Sequence, residues 1–121
     1  MQAAFVELPA FERTRKDYLD DEACRLLQLE LMESPTAGAV IEVTGGLRKL
    51  RQADSRRGKG KRGGLRVIYY WCSGNDQFWL FTVCDKDQVD DLTPAQRKVL
   101  KHLLKTELEN RQPADGERNG Q

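Results

Sequence analysis

The residues whose types and spacing could do chemistry are crowded into one stretch, RRGKGKRGGLRVIYYW at positions 56–71. Arg56, Arg57, Lys59, Lys61, Arg62 and Arg66 stand among glycines and then run into a β-branched and aromatic segment. Like charges at that density repel, so the arrangement raises the energy of the folded chain unless an anion sits there. Phosphate suits it, because the planar guanidinium fork holds two of its oxygens at once.

A cationic phosphate site could also cut RNA. The 2′-hydroxyl of RNA can attack the adjacent phosphate, which needs a base for the hydroxyl, positive charge on the pentacoordinate phosphate and an acid for the leaving oxygen. Lysine is a poor base at neutral pH, but neighbouring cations disfavour its charged form and bring it toward the useful range. Lys59 and Lys61, flanked by Arg57, Arg62 and Arg66, are in that environment. On charge alone three readings stay open: general phosphate binding, a solvated basic loop, and catalysis. The chain has no P-loop, no GxSxG and no metal-ligand spacing, so neither a metal nor a cofactor is expected. The sole histidine, His102, falls among Lys98, Lys101 and Lys105, where an exposed or capping role is expected.

The patch is local. Arg48 to Arg66 holds nine Lys/Arg against one acid, Asp54; that +8, within a total of +1, leaves −7 for the remainder. Such asymmetry points to an anion site rather than to general affinity for nucleic acid. At 121 residues, 39% hydrophobic and 32% charged, the chain reads as one ordinary soluble domain, 1–111, with a modest core. No apolar run approaches the ~18–20 residues of a membrane span, and MQAAFVELPAFERTRK lacks a signal peptide's pattern, so a cytoplasmic protein is expected. Cys24, Cys72 and Cys84 have no CxxC spacing and are expected to be reduced, small core residues.

The elements that must position the cations follow from periodicity. AAFVEL reads as a short strand. Pro9 to about Glu33 turns helical, with a break near Tyr18–Asp20 and Asp20 as cap, which predicts two helices in a hairpin. Strands are expected over 46–51, 66–73 and 78–84, the last two joined by the SGND turn at 73–76 and paired antiparallel. Both are apolar on both faces, so they are expected inside a sheet covered on both sides. TPAQ at 93–96 is a capping box opening a helix to about Arg111, with Val99, Leu100, Leu103, Leu104 and Leu108 as its apolar stripe. Residues 112–121, QPADGERNGQ, have nothing to bury and are expected to be disordered. The expected fold is α+β: a small, mainly antiparallel twisted sheet with an N-terminal helical hairpin and a C-terminal helix.

Taken together, GGLRKLR (45–51), GKGKRGGLRVIYYW (58–71) and CDKDQVDDLTPAQ (84–96) resemble the RelE/HigB family of the RelE/ParE superfamily, closest to its HigB-like branch. The resemblance covers roughly residues 45–108. It implies the toxin of a type II toxin–antitoxin module, an endoribonuclease that cuts ribosome-bound mRNA in the decoding site without a metal or cofactor. It also implies a partner, a HigA-like helix-turn-helix antitoxin through which alone operator DNA would be bound.

Carried over by position, Arg66 matches an arginine that contacts phosphate and stabilises the transition state. Arg57, Lys59 and Lys61 fall where the family draws its general base and further phosphate contacts, and Lys86 where it has a second essential cation. Some members place a tyrosine where Leu92 stands, so no tyrosine acid is assigned. Arg48, Lys49, Arg51, Arg56 and Arg62 are expected to contact RNA by charge. Strand alternation sets Arg66, Ile68 and Tyr70 on one face and Val67, Tyr69 and Trp71 on the other. Tyr70 stays open as a base-facing residue, while Trp71 and Trp79 are expected in the core. Two rivals remain: a ParE-like inhibitor of DNA gyrase, which would not need the cationic cradle, and a non-catalytic RNA- or ribosome-binding module. The repulsion argument further predicts that alanine at Arg66 or Lys86 leaves stability unchanged or slightly raised.

Overall fold

In a computed structural model, residues 2–54 and 64–111 are described. The cations Arg56, Arg57, Lys59, Lys61 and Arg62, and the segment 112–121, lie outside the described residues. Strand β1 (Ala4–Glu7) leads into helix α1 (Pro9–Tyr18), which has proline at its start, where no amide donor is needed. Leu19 turns extended, and Asp20 begins helix α2 (Asp21–Glu33) by accepting the Ala23 amide at 2.7 Å on its side chain. The break therefore falls where the sequence predicts it.

The remaining strands are β2 (Ala39–Val40), β3 (Arg48–Gln52), β4 (Leu65–Cys72) and β5 (Gln77–Asp85), followed by helix α3 (Pro94–Arg111). They form one sheet in the order β1-β5-β4-β3-β2. β1 runs parallel to β5 and every other pairing is antiparallel, so the sheet is mixed, mainly antiparallel as expected. In the β4–β5 turn the Asn75 amide reaches the Cys72 carbonyl at 3.2 Å. Thr93 and Gln96 exchange the two capping-box hydrogen bonds at 2.9 and 3.1 Å.

Two cores sandwich the sheet. On one face Phe11, Leu27 and Leu31 from α1 and α2 pack on Leu50, Leu65, Val67, Tyr69, Phe78 and Val83. On the other, Leu104 of α3 joins Ile41, Leu47, Ile68, Trp79, Phe81 and Val89. β4 thus alternates as expected. The register slips by one residue between Ile68 and Tyr69, so Phe81 is an extra residue on β5.

Three features differ from the sequence expectations. β3 begins two residues late, because Gly45 and Gly46 take positive φ (89° and 124°) in the turn before it. β2, a two-residue edge strand, escapes notice because so short a segment has no periodicity to read. The α3 stripe is only partly used: Leu104 is buried, whereas Val99 and Leu103 remain exposed.

β2 is pinned through one side chain. The Tyr69 hydroxyl donates to the Pro35 carbonyl at 2.8 Å and accepts the Gly38 amide at 3.0 Å. A Cβ on Gly38 would lie 2.8 Å from the Tyr69 ring and 2.9 Å from the Lys49 carbonyl. Gly38→Ala should therefore destabilise the protein by about 1–3 kcal/mol through overpacking. Tyr69→Phe should cost a similar ~1–3 kcal/mol by leaving buried groups unpaired. Denaturant midpoints at unchanged m-value test both, and a neutral Gly38→Ala would show that this contact is slack.

Candidate nucleic-acid interface

The cations of β3 and β4 are brought together by register. Arg51 lies opposite Arg66 and Lys49 opposite Ile68, and cross-strand partners share a face. Lys49, Arg51 and Arg66 therefore stand on the side of the sheet that carries the α3 core, while Leu50 between them points into the opposite core. These three cations line a cavity of about 370 Å³ together with Glu30 and Asp90.

Arg66 is buried, its side chain 2% exposed. Its Nε and Nη2 donate to Oδ1 and Oδ2 of Asp90, each at 3.3 Å, and Nη1 donates to the Leu65 carbonyl at 3.1 Å. Lys49 Nζ stands 3.7 Å from the same Asp90 Oδ1. Arg51 is exposed and has no ion pair among the described residues. Arg48 points to the opposite face and donates to the Gly38 and Thr36 carbonyls at 2.7 and 3.3 Å, tying β3 to the segment before β2.

Lys86, half-exposed, opens a 3-10 turn (Lys86–Gln88) directly after β5. Because Asp85 pairs with Leu65, the hairpin returns Lys86 to the start of β4. Gln88 closes this turn by accepting the Asp85 amide at 3.2 Å, and the Tyr18 hydroxyl donates to Asp85 at 3.4 Å. Tyr70 is half-buried on the Arg66 side, its ring 5.3 Å from that of Trp79, and burial pushes its phenol pKa up. Trp79 is fully buried, and Trp71, half-buried, stacks on Phe78 at 4.4 Å. Leu92 packs against the α3-side core, and His102 is exposed on α3. Among the described residues no group of three or more His, Cys, Asp or Glu side chains could hold a metal ion, and no helix is long and apolar enough to cross a membrane.

The residue that sequence reasoning missed is Asp90. It meets Lys49 and Arg66 in space but lies 24 residues from Arg66 along the chain, in the acid-containing turn QVDD. The available signal was electrostatic: a buried arginine requires a counter-charge. Cys84, opposite Arg66 in the register, keeps its Sγ 3.9 Å from the Arg66 carbonyl. Its thiol pKa is pushed up to about 11, first by burial and then by Asp85, with Arg66 opposing and Asp90 adding a little.

No protein-family model matches the chain. Among solved structures, a mutant of the E. coli toxin RelE in the free state matches with a TM-score of 0.51 at 18% identity, covering 74% of this chain and 90% of that chain. The fold is RelE-like.

The buried Arg66–Asp90 pair corrects the stability expectation for Arg66. Its alanine variant removes a packed stem and leaves Asp90 without its main partner, so it should lose roughly 1–3 kcal/mol. Lys86→Ala, by contrast, should stay within about 0.5 kcal/mol. Thermal melts of the two variants decide this, and equal melting temperatures would refute the asymmetry. The raised Cys84 pKa gives a second test. Folding holds the proton more tightly than the unfolded chain does, so this stabilisation is complete below pH 9 and is lost as pH rises toward about 11. Stability of the native protein should therefore fall across that window more steeply than that of Cys84→Ala, and parallel curves would contradict the assignment.

Proposed function

We propose that this chain is the toxin of a toxin–antitoxin pair, an endoribonuclease that cuts mRNA held on the ribosome. The observation that carries the reading is the convergence of Lys49, Arg51 and Arg66 on one sheet face of a RelE-like fold. Three cations around one cavity match a phosphodiester better than they match any uncharged ligand.

In this reading the message lies along the exposed side of β3, with Arg51 and Lys49 neutralising backbone phosphate. Arg66 would hold the scissile phosphate, where charge accumulates in the transition state. Lys86, carried back to the same end of β4 by the β4–β5 hairpin, would supply the second cation or the proton for the leaving oxygen. Lys59 or Lys61 would take the 2′-hydroxyl proton, with Arg56, Arg57 and Arg62 adding phosphate contacts. The reading needs no metal. Leu92 offers no proton, so the acid is sought among the cations. Tyr70, half-buried in a tilted contact with Trp79, is kept as a base-facing candidate. The antitoxin is proposed to be a HigA-like helix-turn-helix protein that binds operator DNA and blocks the ribosome-facing surface.

One observation favours a second reading. Arg66 is almost inaccessible and already paired, which suits a module that binds ribosomal RNA through Arg51 and Lys49 without cutting.

The experiment is a reconstituted translation reaction scored for mRNA cleavage and ribosome affinity. Lys86→Ala, which keeps the fold, and Arg66→Ala, scored on its folded fraction, should each lower cleavage about 10²–10³-fold. Ribosome affinity should fall much less and should weaken steeply with salt. Intact message with native protein bound to ribosomes would establish the binding module instead. Loss of DNA supercoiling with intact message would point to gyrase.

A further inference from the structure

Arg66 cannot touch a phosphate as it stands. With its side chain 2% exposed, any anion that reaches the guanidinium must displace a neighbour, and the Asp90 carboxylate accepts from its Nε and Nη2. The geometry mimics a bound phosphate: two carboxylate oxygens meet two nitrogens of one fork, and the adjacent ammonium of Lys49 leans on one of those oxygens at 3.7 Å. Two phosphate oxygens would make the same contacts. The contacts are also long. Charge-assisted pairs settle near ~2.7–2.9 Å, whereas both Arg66 contacts are 3.3 Å. Asp90 itself is about one-third exposed, its side chain at 32%. It follows Val89 in a turn outside the helices and strands, anchored by its amide to the Lys86 carbonyl at 3.1 Å. The carboxylate can therefore swing toward water while Arg66 keeps its backbone and its Leu65 contact.

We propose that Asp90 is an internal anion that holds the Arg66 and Lys49 phosphate site closed, and that an incoming phosphate enters by exchanging with its carboxylate. This deepens the proposed function, since it rests on these cations binding phosphate, but it concerns the site before any chemistry. Asp90 acts through Arg66 and is a positioning residue. It keeps the guanidinium oriented and paired until a doubly ligating anion arrives, and it rejects anions that offer only one oxygen.

The test measures binding of inorganic phosphate to the full chain by NMR, following Arg66 Nε–H and the side-chain carboxyl carbon of Asp90. In the native protein both signals should move along one saturation curve. Asp90→Asn keeps the shape but lacks the competing charge. If the open state is populated at about one part in ten, removing the competitor should tighten phosphate binding about tenfold. A residue that merely supported the site would instead weaken binding when changed. Unchanged or weaker phosphate affinity in Asp90→Asn overturns the proposal, as does an Arg66 signal that saturates while Asp90 stays still. The native-protein measurement stands even if the variant folds poorly. Failure of mRNA cleavage with tighter phosphate binding in Asp90→Asn would overturn the enzymatic reading alone and leave this exchange intact.

Discussion

A strand with no polar side has to be covered on both faces, and β4 is such a strand. Leu65, Val67 and Tyr69 are buried beneath α1 and α2, while Ile68 lies in the core on the α3 side. Apolar side chains on both faces cannot be left in water, so helices must pack on each side. The order of elements delivers them, since α1 and α2 precede the antiparallel strands and α3 follows them. Within β4 the one charge, Arg66, sits near its first end. Burying an arginine there is tolerable only with a counter-charge. The return of the chain through β5 and the turn after it supplies Asp90. The site is thus placed by the same hairpin that fills the core.

The electrostatics of the cluster follow. Arg51 and Arg66 are direct cross-strand neighbours, and like charges directly opposite are destabilising. The structure separates their fates: Arg51 stays in water, where its field is screened, and Arg66 goes inside, where the Asp90 carboxylate offsets it. Lys49 shares that carboxylate at longer range. One acid thus serves two cations, and Arg51 beside them is left exposed.

How much of this was legible in the sequence depends on the range of the signal. Local signals held: the Asp20 cap, the Thr93–Gln96 box, the SGND turn and the alternation along RVIYYW all appear as read. Each is written within a few residues, where periodicity and capping chemistry act. The parallel pairing of β1 with β5 joins segments about seventy residues apart and leaves no local trace. Arg48 shows the same limit, because it sits in a run of cations yet points away from them to bond the Gly38 carbonyl. Its direction is set by the pleat, which alternates side chains regardless of their charge. Asp90 was invisible for a related reason. A counter-ion is chosen by distance in space, and the acid-rich turn that holds it reads along the chain as ordinary solvated charge.

The identity of residue 66 now has a physical explanation that charge counting does not provide. A lysine buried to this extent would lose its proton readily, since desolvation penalises its ammonium form, whereas a guanidinium stays charged. The arginine also divides its donors by direction. Nη1 is fixed on the Leu65 carbonyl, within the strand that carries it, while Nε and Nη2 face the carboxylate. The backbone contact sets the plane of the fork, so a change of anion on the other edge need not reorient the side chain. Reorganisation falls on the Asp90 side chain, while Val89 beside it stays anchored in the α3-side core. A site built this way carries its orientation in the sheet and its adaptability in the turn, and a preorganised charge loses little when its anion is exchanged.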